Sequence, residues 1–201
     1  MRLYHAPASP FVRKVMVLLH EAGAVDLVTL VPASGTPLDP GTLPVDRNPL
    51  GKIPALERAD GPTLYDSRVI CRYLDDTLKA GLYPAPPHLW ETLVLEATAD
   101  GIADAAVLMR YEVFVRPEAS RSPEWVEAQW AKIDRALTAI EGRWASHLAG
   151  PVDMGQIALG AALGYLDLRH GTRDWRGTRP VLAVWWAAFS QRPSMVATKP
   201  G

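Results

Sequence analysis

The sequence predicts a small α/β domain followed by an all-helical domain. Three observations support this prediction. Residues 1–77 alternate short apolar runs with amphipathic helical patterns, as α/β domains do. A proline-rich segment over residues 78–88 then interrupts every regular pattern and is expected to be a linker. Over residues 89–201 the hydrophobic residues recur with helical spacing, so no further strand is expected.

Composition restricts the classes of function. The chain has 201 residues, enough for two modest cores. Its formal net charge of −1 and the lack of a basic run argue against nucleic-acid binding. A single cysteine excludes an internal disulfide and a CxxC redox motif. No apolar stretch reaches bilayer length and the first residues show no secretory pattern, so a cytoplasmic protein without membrane contact or metal site is expected.

The first domain is predicted to begin with a strand, a helix and a second strand. The first strand covers residues 2–5 and the helix covers 9–23. Ser9 is a preferred N-cap residue and Pro10 suits the first helical turn, which fixes the helix start. The second strand is expected over residues 27–31, where Val and Leu precede a proline.

The rest of this domain completes the order βαβαββα. Prolines leave room only for a short irregular helix around residues 41–46. Strands over 53–57 and 63–65 are joined by a hairpin turn, and Asp66-Ser67 opens the next helix. The strand-helix-strand start calls for a right-handed parallel crossover. A thioredoxin-like domain has this order of elements.

Four helices are predicted in the second domain. The first covers residues 89–115, and the second begins at residue 122 and ends at 148, before Gly150-Pro151. The third covers 153–169 and the fourth covers about 179–190.

The start of the first helix is a candidate anion site. A helix that begins directly after a strand presents free backbone N–H groups and the positive end of its dipole. That arrangement suits an anion such as a thiolate. The alternative is that Ser9 only caps the helix. Cys71 lies in mid-helix and is expected to be a small core residue, without a reactive thiol.

Three stretches resemble the glutathione S-transferase superfamily in their order and spacing. They are Ser9-Pro10-Phe11, the segment NPLGKIPAL at residues 48–56, and the helix that begins at Asp66-Ser67. Segments 96–104 and 160–169 extend the likeness to the bacterial branch that carries Ser-Pro-Phe at the first motif. The resemblance implies the GST fold, a thioredoxin-like domain followed by an all-α domain, with glutathione as co-substrate.

The resemblance also implies roles for individual residues. Ser9 is the catalytic residue, donating a hydrogen bond to the glutathione sulfur without acting as a nucleophile. The main chain of Ile53, before a cis Pro54, pairs with the peptide, and Asp66 and Ser67 bind the ammonium and carboxylate of the γ-glutamyl end. The other implied glutathione contacts are Phe11, Lys52 and Asp100.

Simpler interpretations of these residues stay open. Pro54 is also compatible with an ordinary edge strand, and Lys52 with an exposed loop residue. Asp66 and Ser67 can act simply as a helix cap. Asp100 is implied to reach the glutathione of the partner in a homodimer.

A pocket for the electrophile is expected between the long helix and the third helix of the second domain. Its predicted lining residues are Val107, Arg110, Tyr111, Phe114, Tyr165 and Arg169. Two arginines and two tyrosines favour a polar or anionic co-substrate. Alternatively, Arg110 pairs with Glu112 and Asp167 pairs with Arg169 in structural ion pairs.

The predicted function is a glutathione transferase that activates the glutathione thiol for attack on a small electrophile, in a detoxification role. Conjugation, isomerisation, dehalogenation and ether cleavage stay open. The alternative is a non-catalytic module of the same fold that binds glutathione or a protein. A disulfide oxidoreductase is disfavoured because no cysteine lies at the candidate site.

Overall fold

The computed structural model describes residues 1–200 and contains an α/β domain followed by a helical domain, as the sequence predicts. The strands of the first domain form one sheet in the order β2-β1-β3. β1 runs parallel to β2 and antiparallel to β3. The elements of this domain are β1 (Arg2–His5), α1 (Pro10–Glu21), β2 (Thr29–Pro32), β3 (Ala55–Glu57) and α2 (Ser67–Leu78).

Two elements predicted for this domain are wrong. The strand expected at residues 63–65 is reduced to a single bridge between Leu56 and Leu64, whose main chains exchange two hydrogen bonds of 2.9 Å. Residues 41–46 contain turns and no helix. The preceding loop is held by local bonds, such as the one from the Ser34 N–H to the Thr42 hydroxyl at 2.9 Å, and such bonds compete with helix formation.

The helical domain follows the predicted pattern closely, with one break and one addition. The expected helix over 122–148 divides at Trp144, and a short terminal helix follows the last one predicted. The helices are α3 (His88–Phe114), α4 (Pro123–Arg143), α5 (Ala145–Leu148), α6 (Met154–His170), α7 (Pro180–Phe189) and α8 (Pro193–Ala197). Within residues 1–200, no helix combines the length and the apolar character needed to span a bilayer.

Helix α6 lies at the centre of the molecule and brings the two domains together. All of its residues from Met154 to Leu166 are buried, and it packs against both α3 and α1. A Cβ atom at Gly164 would lie only 2.0 Å from a guanidinium nitrogen of Arg13 on α1. The absence of a side chain at Gly164 therefore lets α6 approach the start of α1.

Candidate active site

Ser9 lies where β1 leads into α1, and it caps the helix. Its Oγ accepts a hydrogen bond from the Val12 N–H at 3.3 Å, and its backbone is extended, as an N-cap requires. Ser9 also lines a narrow crevice between the domains, with residues of α6 on the other side. Within residues 1–200 the Ser9 hydroxyl donates to no acceptor. Capping and ligand binding are therefore compatible, because the cap uses an oxygen lone pair and leaves the proton.

The loop before β3 is clamped by a buried asparagine. Asn48 donates from Nδ2 to the Lys52 carbonyl at 2.8 Å and accepts from the Leu50 N–H at 3.1 Å. Gly51 has a φ of +58°, which glycine adopts without strain. The Ile53-Pro54 peptide bond is cis, as predicted. Asn48 was not predicted to have a role, although it begins the segment that carries the resemblance.

This clamp determines which groups of the loop face outward. Lys52 is exposed, Ile53 is half-buried and Pro54 is buried. The main-chain N–H and C=O of Ile53 make no hydrogen bond within residues 1–200. They remain free to pair with an extended ligand, as strand addition requires.

At the start of α2, Asp66 is the capping residue. Its carboxylate accepts a hydrogen bond from the Arg68 N–H at 3.0 Å, whereas Ser67 is the first helical residue and is 2% exposed. The possibility that Ser67 caps this helix is therefore wrong. Ser67 has no hydrogen-bond partner for its hydroxyl among residues 1–200. A hydroxyl beside free N–H groups at a helix start can receive a carboxylate.

Behind α2 lies a buried charged network that links α1, α2 and α3. Lys14 donates from Nζ to both oxygens of Asp100 at 2.9 Å and to Glu96 at 3.0 Å. Arg68 contacts Asp100 at 2.9 Å, and the hydroxyl of Tyr83 donates to Glu96 at 3.0 Å. Burial opposes the ammonium charge, but the attraction of Asp100 and Glu96 outweighs it and raises the pKa of Lys14.

Asp100 therefore has partners within its own chain. It is 4% exposed, and its carboxylate lies between Lys14 and Arg68. The expected contact with glutathione bound to a partner subunit stays a prediction. Lys14 and Arg68 are the residues here that the sequence analysis did not single out.

Lys52 belongs to the same electrostatic environment as the start of α2. Burial raises the pKa of Asp104, the repulsion of Asp100 adds to this rise, and the charges of Lys52 and Arg68 oppose it. Lys52 is thus close enough to α3 to act on Asp104. A cation at this position can attract a carboxylate of a bound peptide.

Two other residues singled out in the sequence lie in or against the core. Phe11 is half-buried and packs against the core cluster. Cys71 is fully buried, and burial raises the pKa of its thiol, so the expectation of a small, unreactive core residue is supported.

Tyr165 connects the helical domain to Ser9, because both residues line the same crevice. Tyr165 is 7% exposed, and burial raises the pKa of its phenol to about 12 against the opposing charges of Arg169 and Arg110. Tyr111 repels the ionised phenol. Arg110, Tyr111 and Arg169 are thus close enough to Tyr165 to act on its phenol, and the electrophile pocket that they would line stays a prediction.

The two structural ion pairs considered for these arginines are wrong. Glu112 contacts Arg116 at 3.1 Å, and Asp167 contacts Arg176 at 2.7 Å. Arg110 instead stacks on Phe114, with its guanidinium carbon 4.3 Å from the ring centre. Val107 is half-buried and packs against the core.

A larger cavity of about 950 Å³ lies elsewhere, between the start of α3 and the end of α4. His88, Trp144 and His147 are among its lining residues, and Ser9 is not. Ser9 and Tyr165 therefore lie apart from this cavity.

Comparison with known proteins connects this geometry to one family. Residues 8–77 match the model of the glutathione S-transferase N-terminal domain, and residues 123–188 match that of the C-terminal domain. The chain is 32% identical to the GST-like protein YibF of Escherichia coli, with 100% of this chain and 98% of YibF covered. It is 28% identical to glutathione S-transferase 3 of Zea mays, with 98% and 92% covered.

Solved structures agree with the sequence matches. A glutathione transferase family member from Pseudomonas fluorescens, with bound glutathione, superposes with a TM-score of 0.96 at 46% identity, covering 100% of this chain and 98% of that one. A structure of such a family member with bound S-(propanoic acid)-glutathione gives 0.92 at 45% identity, with 100% of both chains covered. The chain therefore belongs to the glutathione S-transferase family.

Proposed function

We propose that this protein is a glutathione transferase whose thiol-activating residue is Ser9. The observation that carries the proposal is the position of the Ser9 hydroxyl. It lies at the start of α1 with an unused proton, and it faces Tyr165 of the helical domain across one crevice. A sulfur placed there would meet a hydrogen-bond donor, the positive end of a helix dipole and a neighbouring electrophile site.

The peptide part of glutathione fits the remaining groups of the α/β domain. The free main chain of Ile53 would pair with the cysteinyl residue. Ser67 and the N–H groups at the start of α2 would bind the γ-glutamyl carboxylate, and the exposed Asp66 would bind the ammonium. Lys52 would approach the glycyl carboxylate. Bound glutathione and S-(propanoic acid)-glutathione in the Pseudomonas fluorescens structures support this ligand class.

The energy required for thiol activation is within reach of these groups. Lowering a thiol pKa from about 8.5 to about 6.5 corresponds to about 2.7 kcal/mol of preferential thiolate binding. A hydroxyl donor to an anionic sulfur and a helix N-terminus each contribute about 1 kcal/mol or more in a partly buried site. Both act only on the charged sulfur, so they favour the reactive form.

The remaining features of the proposal extend this activity. The protein would work as a cytoplasmic homodimer, with Asp100 close to the glutathione of the partner, in the detoxification of small electrophiles. Ser9-Pro10-Phe11 supports a place in the bacterial branch of the family. The two domains would divide at the linker of residues 78–88.

Calorimetry with glutathione, combined with ultraviolet titration of the bound thiol, tests the proposal. Wild type should bind glutathione and lower its thiol pKa by about two units. The Ser9→Ala variant should still bind, because the peptide contacts remain, but with a thiol pKa near the free value. Binding by wild type without any lowering would favour a non-catalytic glutathione-binding module. No binding at all would overturn the proposal.

A further inference from the structure

We infer that the electrophile accepted at this site is a small carboxylic acid whose carboxylate is held by Arg110 and Arg169 beside Tyr165. The inference rests on the proposed function and specifies its co-substrate class. It is carried by the placement of two arginines that have no anionic partner in the protein.

The row of residues along α6 places Arg169 at the site. Ala161 and Tyr165 both line the crevice that contains Ser9. Residues four apart share one face of a helix, so Arg169 is the next residue on the row of Ala161 and Tyr165. It is exposed, one turn further from the buried centre of α6.

The row of residues along α3 places Arg110 opposite Arg169. Val107, Arg110, Tyr111 and Phe114 have the spacing of one helix face. A hydrogen bond of 2.9 Å between the Nε2 atom of His170 and the Ala106 carbonyl fastens the end of α6 to this part of α3.

This hydrogen bond brings the row of residues on α6 alongside the row on α3. Arg169 is next to His170 in sequence, and Arg110 lies one turn beyond Ala106. Arg110 and Arg169 therefore approach the same space, in agreement with their common influence on Tyr165.

Both guanidinium groups are available to a ligand. Neither Arg110 nor Arg169 has a carboxylate within 4.0 Å among residues 1–200. The neighbouring acids in sequence, Glu112 and Asp167, are paired with Arg116 and Arg176 instead. Stacking on Phe114 holds Arg110 in place and leaves the edge of its guanidinium free. One guanidinium held against a ring and a second, exposed one, both unpaired and beside a phenol, form a receptor for a carboxylate.

The chemistry explains why such a site needs positive charge. A glutathione thiolate and a carboxylate electrophile are both anions, so they repel each other in a confined crevice. Two guanidinium groups offset this repulsion. For a halogenated acid, the sulfur lone pair forms a new S–C bond while the carbon–halogen bond breaks, and the halide leaves with the bonding electrons. The thiol proton has already passed to solvent.

Calorimetry with two glutathione adducts tests the inference without requiring turnover. S-(2-carboxyethyl)glutathione carries the carboxylate, and S-(3-methylbutyl)glutathione has the same shape without charge. Arg110→Gln and Arg169→Gln should each weaken binding of the charged adduct by about three- to fivefold, and the double variant by about tenfold or more. Affinities for the neutral adduct and for glutathione should stay within about twofold.

A matched control removes the same charge elsewhere. Arg135 on α4 is exposed and has no ion pair within residues 1–200, so Arg135→Gln should leave both affinities unchanged. An equal loss for both adducts in the Arg110 and Arg169 variants, or no loss for either, would overturn the inference. Failure of wild type to bind glutathione itself would instead contradict the proposed function.

Discussion

Helices α1 and α4 begin with the same dipeptide in different surroundings. Ser9 accepts from the Val12 N–H at 3.3 Å, and Ser122 accepts from the Trp125 N–H at 3.2 Å, each followed by proline. Ser122 is exposed and its N–H donates to Glu112, whereas Ser9 lies in the crevice opposite Tyr165. A Ser-Pro dipeptide thus marks a helix start, and its functional meaning comes from what faces it across the fold.

The contrast continues five residues further along each helix. In α1 this position is Lys14, which is 1% exposed and surrounded by carboxylates of α3. In α4 it is Glu127, which is exposed and contacts Arg173 at the surface. Helix α1 therefore contributes to the candidate site in two ways, through the cap at Ser9 and through the ion pairs of Lys14 with α3.

The largest expected effect concerns Lys14, the buried residue of this comparison. Lys14→Met should lower the free energy of unfolding by about 3–5 kcal/mol, because it leaves Glu96 buried without a cation and Asp100 with Arg68 alone. Denaturant unfolding at neutral pH measures it. Glu127→Gln is the matched control and should cause no measurable change, because exposed ion pairs contribute little. Equal stability of the two variants would contradict the role assigned to the network.

The next effect separates the two serines by function. Ser9→Ala should lower kcat/KM for glutathione conjugation by about 100-fold, because one hydrogen-bond donor to the sulfur is lost. Ser122→Ala should leave kcat/KM unchanged. Both variants should lose a similar free energy of unfolding, about 1 kcal/mol, because each removes one helix cap. An equal loss of activity in the two variants would show that capping alone explains Ser9.

The smallest effect concerns the other end of α1. Hydrogen bonds from Arg192, aided by Ser194, lower the pKa of Glu21 although burial opposes the charge. Because the folded pKa lies below the unfolded value of 4.5, the stabilisation is present above about pH 4.5 and is lost as the pH falls through the folded pKa. Glu21→Gln should therefore cost about 0.5–1 kcal/mol at pH 7 and less near pH 3.

Unfolding followed by circular dichroism between pH 3 and pH 7 tests this expectation. Glu118 is exposed and has no ion pair within residues 1–200, so Glu118→Gln should follow the wild-type pH dependence. A constant difference between Glu21→Gln and wild type across this range would contradict the lowered pKa of Glu21.

Local rules explain why much of the fold and part of the site could be predicted. Helix starts depend on a cap and on the following few residues, and the predicted starts near Ser9 and Ser122 agree with the structure. The prediction of a cis bond before Pro54 came from the family resemblance. Short strands were predicted less well, since the segment at 63–65 has too few partners to extend its pairing.

Contacts between distant segments could not be predicted in the same way. Lys14 meets Glu96 and Asp100, which lie 82 and 86 residues away along the chain. The ion pairs considered as an alternative within α3 and α6 joined residues two apart, such as Arg110 and Glu112. Residues at that spacing point away from each other on a helix, so these pairs could not form.

Asp153 and Gln156 have the spacing of a capping box at the start of α6, but their hydrogen bonds follow that motif only in part. Asp153 accepts from the Gln156 N–H at 3.0 Å, as a cap should. In a capping box the side chain at the position of Gln156 bonds back to the cap backbone, but Gln156 donates to the carbonyls of His147 and Pro151 instead, at 3.1 and 2.8 Å. Its partners belong to the turn before the helix, which the sequence pattern of a capping box does not include.

The Lys14 network also has a consequence for how the molecule folds. The ammonium belongs to the first domain, whereas the carboxylates that compensate it belong to α3 of the second. A fragment consisting of the α/β domain alone would lose both of these ion pairs and expose Lys14, which is buried in the whole chain. The two domains are therefore mutually dependent, and we expect them to unfold in one cooperative transition, despite the linker between them.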